Sequence, residues 1–252
     1  MSKTTLTLRY ISTLLKYNLI KPFHDIGATK RFVSAVLDFN FHEGGGRLLK
    51  TTSIHEVFPE LVHQNWVMVG TSWPVEAPFL CGALKVLGAK RILEIGTFHG
   101  GMTIQLAANI EKDGLVHTID LDPNESDKLV LTISSYDKEL VDKNSREEVG
   151  KAFHGTVYED RIIQTYCDSA ILDFSKFQEP FDLAFIDGGH SYEQVKMDTE
   201  NVLSIMRPGG CIFWHDYQPG CEGVVKYLHE LSRDFDIKHI NNSMLAVLLL
   251  PV

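Results

Sequence analysis

Asp187, His190, His215 and Asp216 sit in two short phrases, Asp187-Gly-Gly-His190 and His215-Asp216-Tyr217, each directly after a run of branched and aromatic residues. If the two runs are neighbouring strands, Asp187, His215 and Asp216 converge as three oxygen or nitrogen donors. Such a set could hold a divalent cation, which would bind a substrate hydroxyl and lower its pKa. Carboxylates and water suit Mg²⁺, whereas an imidazole ligand moves the preference towards Mn²⁺ or another transition metal. A second chemical stretch lies upstream, where Glu94 is followed by glycines at 96, 100 and 101. Glycines there let the backbone bend and approach a ligand, and the helix that follows aims free N–H groups at it. Asp120 comes about twenty residues beyond that turn, at a place where a carboxylate can accept hydrogen bonds from both hydroxyls of a ribose. This is the pattern of a nucleotide-cofactor cradle beside a reacting centre.

The elements that must position these groups follow from periodicity. Ile92, Leu93 and Ile95 form an apolar run of the kind covered on both faces in a parallel sheet. Leu115–Ile119, Arg161–Tyr166, Phe181–Ile186 and Cys211–Trp214 read as further strands, ending at Asp120, at Cys167-Asp168-Ser169, at Asp187 and at His215. Open α/β sheets place their chemistry at the carboxyl ends of their strands, where all these residues fall. Between them lie helical patterns: Ser72 to Leu87 with Pro74 near its start, Thr103 to Ile110, Tyr192 to Met206 with Val195, Thr199 and Val202 on one face, and Glu222 to Arg233. Pro208-Gly209-Gly210 is expected to end the third of these. Asp236–Ile240 and Met244–Leu250, joined by Asn241-Asn242-Ser243, read as a closing hairpin.

The glycine spacing bears on the cofactor. A dinucleotide fingerprint needs G-x-G-x-x-G to seat a pyrophosphate, whereas this chain has Glu94-x-Gly96-x-x-x-Gly100. That pattern resembles class I S-adenosylmethionine (SAM) methyltransferases. The phrases Phe185-Ile-Asp-Gly-Gly-His-Ser-Tyr-Glu193 and Pro208-Gly-Gly-Cys-Ile-Phe-Trp-His-Asp-Tyr217 closely resemble the small-molecule O-methyltransferases called methyltransferase family 24. The resemblance covers roughly residues 72–250. It implies a Rossmann-like α/β fold with a mostly parallel seven-stranded sheet and a C-terminal antiparallel hairpin strand. It places Glu94 near the methionine ammonium of SAM, with Gly96, Thr97 and Gly100 along the amino-acid and ribose part. It gives Asp168, with Ser169, to the adenine, although an N-cap is an equal reading for Asp168. The family's usual serine is Met102 here, so a hydroxyl contact to the SAM carboxylate would be lost or would pass to Thr103. In related cation-dependent enzymes the strand-four aspartate and the pair ending strand five bind metal, which implies Asp187, His215 and Asp216. A base stands three positions beyond that aspartate, which implies His190, and imidazole has a suitable pKa for taking a proton from a hydroxyl. Strand four ends in Asp-Gly-Gly-His and not in the Asn/Asp-Pro-Pro-Tyr of amino-methylating enzymes, so oxygen is the better acceptor.

The expectation is therefore SAM-dependent methylation of a hydroxyl on a small metabolite such as a phenol, a sugar or a polyketide glycoside. Asp120 suits nucleosides of either cofactor class, which keeps an NAD-dependent oxidoreductase as an alternative beside a non-catalytic SAM-binding protein of the same fold. With 252 residues, 44% of them hydrophobic and 23% charged, the chain suits one large α/β domain with a small addition. A net charge of −9 would repel a phosphate backbone, which argues against nucleic acid as substrate. No apolar run approaches the ~20 residues of a membrane span. Four scattered cysteines and no cleavable leader read as a cytoplasmic protein.

Two regions carry little pattern. Residues 1–70 read as a helical cap on the methyltransferase domain of 71–252. Helical spacing runs from Thr5 to Tyr17 and from Lys30 to Leu37, giving an apolar face for the main domain, the cofactor, a membrane surface or a second copy in a homo-oligomer. Residues 124–160 exceed a simple connection and read as a lid, with Ser145-x-x-Glu148 as a capping box.

Overall fold

The computed structural model describes residues 49–52, 76–131 and 133–252. The apolar runs become strands: β1 (Lys50–Thr52), β2 (Arg91–Ile95), β3 (Leu115–Asp120), β4 (Ile162–Tyr166), β5 (Phe181–Ile186), β6 (Met206–Trp214), β7 (Lys238–Ile240) and β8 (Ala246–Leu249). They form one sheet in the order β1-β7-β8-β6-β5-β2-β3-β4. β8 runs antiparallel to β6 and β7, and the other pairs are parallel. The seven strands expected are β2 to β8. The eighth, β1, joins the edge in register Lys50↔Lys238 and comes from the stretch read as cap. Three residues are too short to show a period, so nothing in the sequence marked it. The cap helices expected at Thr5–Tyr17 and Lys30–Leu37, and the Ser72–Pro74 helix start, lie outside the described residues.

Among the described residues five α-helices connect the strands: α1 (Ala77–Leu87), α2 (Gly101–Asn109), α3 (Ser135–Lys143), α4 (Tyr192–Ile205) and α5 (Glu222–Leu231). Strand alternation divides the core. Ile92, Val116, Leu183 and Phe213 pack towards Leu80 and Leu84 of α1 and Leu106 of α2. Leu93, Ile95, Ile119 and Trp214 pack towards Val195 and Val202 of α4 and Leu228 of α5 on the other face.

Two expectations changed. Strand β6 begins at Met206 and passes through Pro208-Gly209-Gly210, where the pairing with β5 slips between Phe181 and Leu183. The glycines therefore make a bulge inside the strand, as glycines in strands often do. The capping box of the 124–160 stretch is at Ser134 and Asp137, which start α3, and Ser145 leads only into turns.

Candidate functional site

A cavity of about 480 Å³ opens at the carboxyl ends of β2 to β6. Gly96, Asp120, Asp168, Ser169, Asp187, His190, His215 and Asp216 all line it. The turn after β2 is as tight as the glycine spacing requires. Gly96 has φ 97°, and a Cβ there would fall 2.0 Å from the Asp187 carbonyl oxygen, so only glycine lets β2 and β5 end side by side.

Glu94, Thr97, Gly100 and Thr103 do not line the cavity. Glu94 shares its strand face with Ile92, so its side chain passes under α2 and not towards the cavity. There it is 1% exposed, and Oε2 accepts from Thr103 Oγ1 at 2.5 Å and Thr118 Oγ1 at 2.6 Å. Thr97 Oγ1 meets the same Thr118 hydroxyl at 2.6 Å. Burial pushes the Glu94 carboxyl up to about 8 against those hydrogen bonds, so it holds a proton at neutral pH. A contact with an ammonium from this position is not what the geometry offers. Gly100 is the left-handed N-cap of α2, with φ 81°.

Asp120 does face the cavity, and its carboxylate also fixes the turn, accepting from Phe98 N at 2.5 Å and Leu121 N at 2.7 Å. Burial raises its pKa. Asp168 makes the turn-forming bond to Ala170 N at 2.9 Å and accepts from Val130 N at 3.1 Å, tying the 124–160 stretch to the end of β4. No helix starts there, which removes the N-cap reading. Ser169 hydrogen-bonds Asp198 of α4, whose carboxyl is pushed up to about 6 by burial.

The reacting end is denser than the sequence suggested. His215 Nδ1 lies 3.0 Å from Asp187 Oδ1 and 3.1 Å from Asp216 Oδ2, and its Nε2 lies 2.7 Å from Glu76 Oε2 at the start of α1. His190 Nε2 lies 2.7 Å from Asp216 Oδ2, and Nδ1 bonds Asp137 of α3, whose other oxygen accepts from His190 N at 3.1 Å. Burial would lower both imidazoles, but the facing carboxylates outweigh it: His190 is pushed up to about 10 by Asp137 and Asp216, and His215 is raised well above its usual range by Asp187 and Asp216. Burial would likewise raise Asp216, and the two rings outweigh it to hold that carboxyl far below the usual range. Asp216 also adopts φ 55°, a left-handed turn that aspartate tolerates better than most residues.

Asp187, His215 and Asp216 fit a divalent cation. Their donor atoms lie within 4.8 Å of one another, and cis ligands on bonds of about 2.1 Å stand about 3.0 Å apart, as the His215 contacts do. Four carboxylates, Glu76, Asp137, Asp187 and Asp216, surround two imidazoles, so acids outnumber rings at this end of the cavity, and burial raises the Asp187 pKa. His190, Asp216 and Cys221 form a second group of donors that shares Asp216.

Sequence reasoning missed Glu76 and Asp137. Glu76 is 139 residues from His215 and Asp137 is 53 from His190. The one available signal was Ser134-x-x-Asp137, an N-cap pattern that marks the helix and not the reach of its aspartate. Also unforeseen was the apolar wall of Leu129, Ile133, Leu140 and Val141, which the 124–160 stretch lays along the cavity.

A family model described as a methyltransferase domain, of methyltransferase family 24, matches residues 93–217. A protein of Mycolicibacterium vanbaalenii, provisionally named an O-methyltransferase, is 27% identical over 146 residues, which are 58% of this chain and 55% of that protein. The chain thus spans about half the length of that curated relative. Among solved structures, a Staphylococcus aureus protein provisionally titled a caffeoyl-CoA O-methyltransferase superposes with a TM-score of 0.54 at 16% identity, covering 86% of this chain and 98% of that one. Cofactor-bound Rv0187 from MTB superposes with a TM-score of 0.51 at 17% identity, covering 88% and 89%. Likenesses at this identity establish the fold.

Proposed function

We propose, from the premise that the chain is a class I methyltransferase in family match and fold, that it transfers the methyl group of SAM to a hydroxyl of a small metabolite with the help of a divalent cation. The observation that carries this reading is the meeting of Asp187, His215 and Asp216, with cis-ligand spacing, in the cavity that Asp120 and Asp168 also face. Asp120 would accept the ribose hydroxyls, and Asp168 with Ser169 would face the adenine. Asp187, His215 and Asp216 would hold Mg²⁺ or Mn²⁺. Such an ion, when bound, stabilises the negative charge of an ionising hydroxyl. With the Asp216 carboxylate committed there, His190 keeps Asp137 on Nδ1 and turns Nε2 to the acceptor. Giving Asp216 to the cation removes one of the two carboxylates that hold the ring protonated, so His190 Nε2 would release its proton before reaction. It would then take the hydroxyl proton while the oxygen attacks the SAM methyl, forming a C–O bond as the S–C bond breaks and S-adenosylhomocysteine leaves. No covalent enzyme intermediate is needed, and in-line positioning supplies much of the acceleration.

One observation favours a second reading, a SAM-binding protein without turnover: both His190 ring nitrogens already face carboxylates. Purified protein with labelled SAM, a broad library of hydroxylated acceptors and a chelator control separates the two. Methyl ether formation that stops on chelation supports the proposal. SAM binding with no transfer to any acceptor supports the rival, and NAD binding in place of SAM defeats both. The acceptor would lie against Leu129, Ile133, Leu140 and Val141, which suits a phenol or the apolar part of a polyketide glycoside. We keep residues 1–70 as a cap on the 71–252 domain, attached at least through β1, and as the face for a homo-oligomer. No helix of the described residues is long and apolar enough to cross a membrane, and the free cysteines agree with a cytoplasmic setting.

A further inference from the structure

We infer that Glu76 is the carboxylate that makes His215 a metal ligand, by holding the Nε2 proton so that Nδ1 presents its lone pair, and that the site so built takes Mn²⁺ in preference to Mg²⁺. The inference rests on the cation reading above and adds to it a fourth residue and a choice of ion. Glu76 is itself fixed: Oε2 faces His215 Nε2 at 2.7 Å and Oε1 accepts the Met244 N–H at 2.7 Å. Both side chains are almost wholly buried, at 4% and 5% exposure. The Phe185 ring stands edge-on to the imidazole at 6.0 Å and limits its rotation. Carboxylates face both ring nitrogens, so a cation entering between Asp187 and Asp216 must displace the Nδ1 proton, while the buried Glu76 carboxylate keeps the proton on Nε2 and leaves the other nitrogen as the donor. That other nitrogen is the one placed 3.0 and 3.1 Å from Asp187 and Asp216. An imidazole donor favours first-row transition-metal ions, of which Mn²⁺ best tolerates the carboxylate partners, over Mg²⁺, which keeps oxygen ligands and gives up water reluctantly.

Glu76→Gln tests the role of the carboxylate. The glutamine oxygen would satisfy Met244 N–H, which turns its NH₂ towards His215 Nε2 and favours the tautomer with the proton on Nδ1, where the cation must bind. Losing such an outer partner costs about 10- to 100-fold in metal affinity. Free Mn²⁺ is followed by electron paramagnetic resonance as the full chain is titrated, with no turnover required, and Mg²⁺ is then added as competitor. Wild type should bind Mn²⁺, with Mg²⁺ displacing it only in more than about tenfold excess, in keeping with the imidazole donor. Glu76→Gln should weaken Mn²⁺ by that 10- to 100-fold, and His215→Asp should bring the two ions closer to parity. Wild type that binds neither ion removes the cation site itself. Wild type that binds Mn²⁺ while Glu76→Gln, folded by circular dichroism, binds it equally well overturns the role of Glu76 and leaves the site standing. If Glu76→Gln does not fold, His215→Asp decides: an unchanged Mn²⁺-to-Mg²⁺ ratio overturns the inference.

Discussion

Two carboxylates of one sheet, on β2 and just after β6 with β5 between them, meet opposite fates. Glu94, beneath α2, faces the hydroxyls of Thr103 and Thr118, and its pKa climbs to about 8. Asp216, after β6, faces the rings of His190 and His215, and its pKa falls far below the usual range. Both feel burial, which favours the neutral acid. Hydroxyl hydrogen bonds do not offset that cost at Glu94, and the cationic rings more than offset it at Asp216. Two acids of the same sheet thus serve different ends: Glu94 packs as a protonated polar group under the turn after β2, while Asp216 stays an anion between two imidazoles.

The largest effect should come from removing the anion. Asp216→Ala takes a carboxylate from between two rings, and breaking a buried ion pair costs about 3–5 kcal/mol in stability. Loss of bound Mn²⁺ and of methyl transfer should accompany a lowered melting temperature, and a variant that keeps its metal would show that Asp216 only steadies the rings. His190→Ala comes next. Removing a positioned base costs ~10²–10⁴-fold in rate, so kcat should fall by that range with SAM affinity nearly unchanged, and the loss should shrink for more acidic hydroxyls. Wild-type kcat on a weakly acidic alcohol would assign activation to the cation alone.

Asp137→Asn should cost less than His190→Ala, because the ring remains and loses only the partner that orients Nδ1–H. The kcat for a weakly acidic acceptor should drop while KM for SAM stays put, and a fall in kcat matched by a rise in KM for SAM would mark Asp137 as merely structural for the 124–160 stretch. Glu94 does not line the cavity, so its effect should be on stability and least of all on turnover. Its raised pKa means that the folded chain holds a proton the unfolded chain has released. Stability from this group is therefore lost as pH rises from the ordinary carboxylate range to about 8, by about 1 kcal/mol per pH unit. Glu94→Gln, which mimics the neutral acid, should remove that slope. Melting temperatures of the two proteins between pH 5 and 9 should diverge in favour of the variant up to about pH 8 and run parallel above it. Parallel curves throughout would place Glu94 in the ionised form and erase the contrast with Asp216.

Much of the sheet was legible because its strands are short apolar runs ended by Gly, Asp or Asn, and those signals are local. The convergence of Asp187, His215 and Asp216 was legible for the same reason: carboxyl ends of adjacent parallel strands lie together whatever the rest of the fold does. Glu94 shows a signal present and not used. Alternation along β2 puts it on the face of Ile92, away from the cavity, but the motif drew attention to residue type and not to parity. β1 offered no such signal, since three residues cannot display a period.

By itself, then, the sequence determined the strand-turn-helix units, the left-handed glycine turn after β2 and the placing of candidate ligands at strand ends, all of which depend on residues a few positions apart. Only the tertiary structure decided which nitrogen of each imidazole meets which carboxylate. Glu76 reaches His215 from 139 residues away and Asp137 reaches His190 from 53. Such contacts form when α1 docks on the sheet and α3 lies along the cavity at its carboxyl ends, and no spacing along the chain encodes which side chains that packing brings within 3 Å.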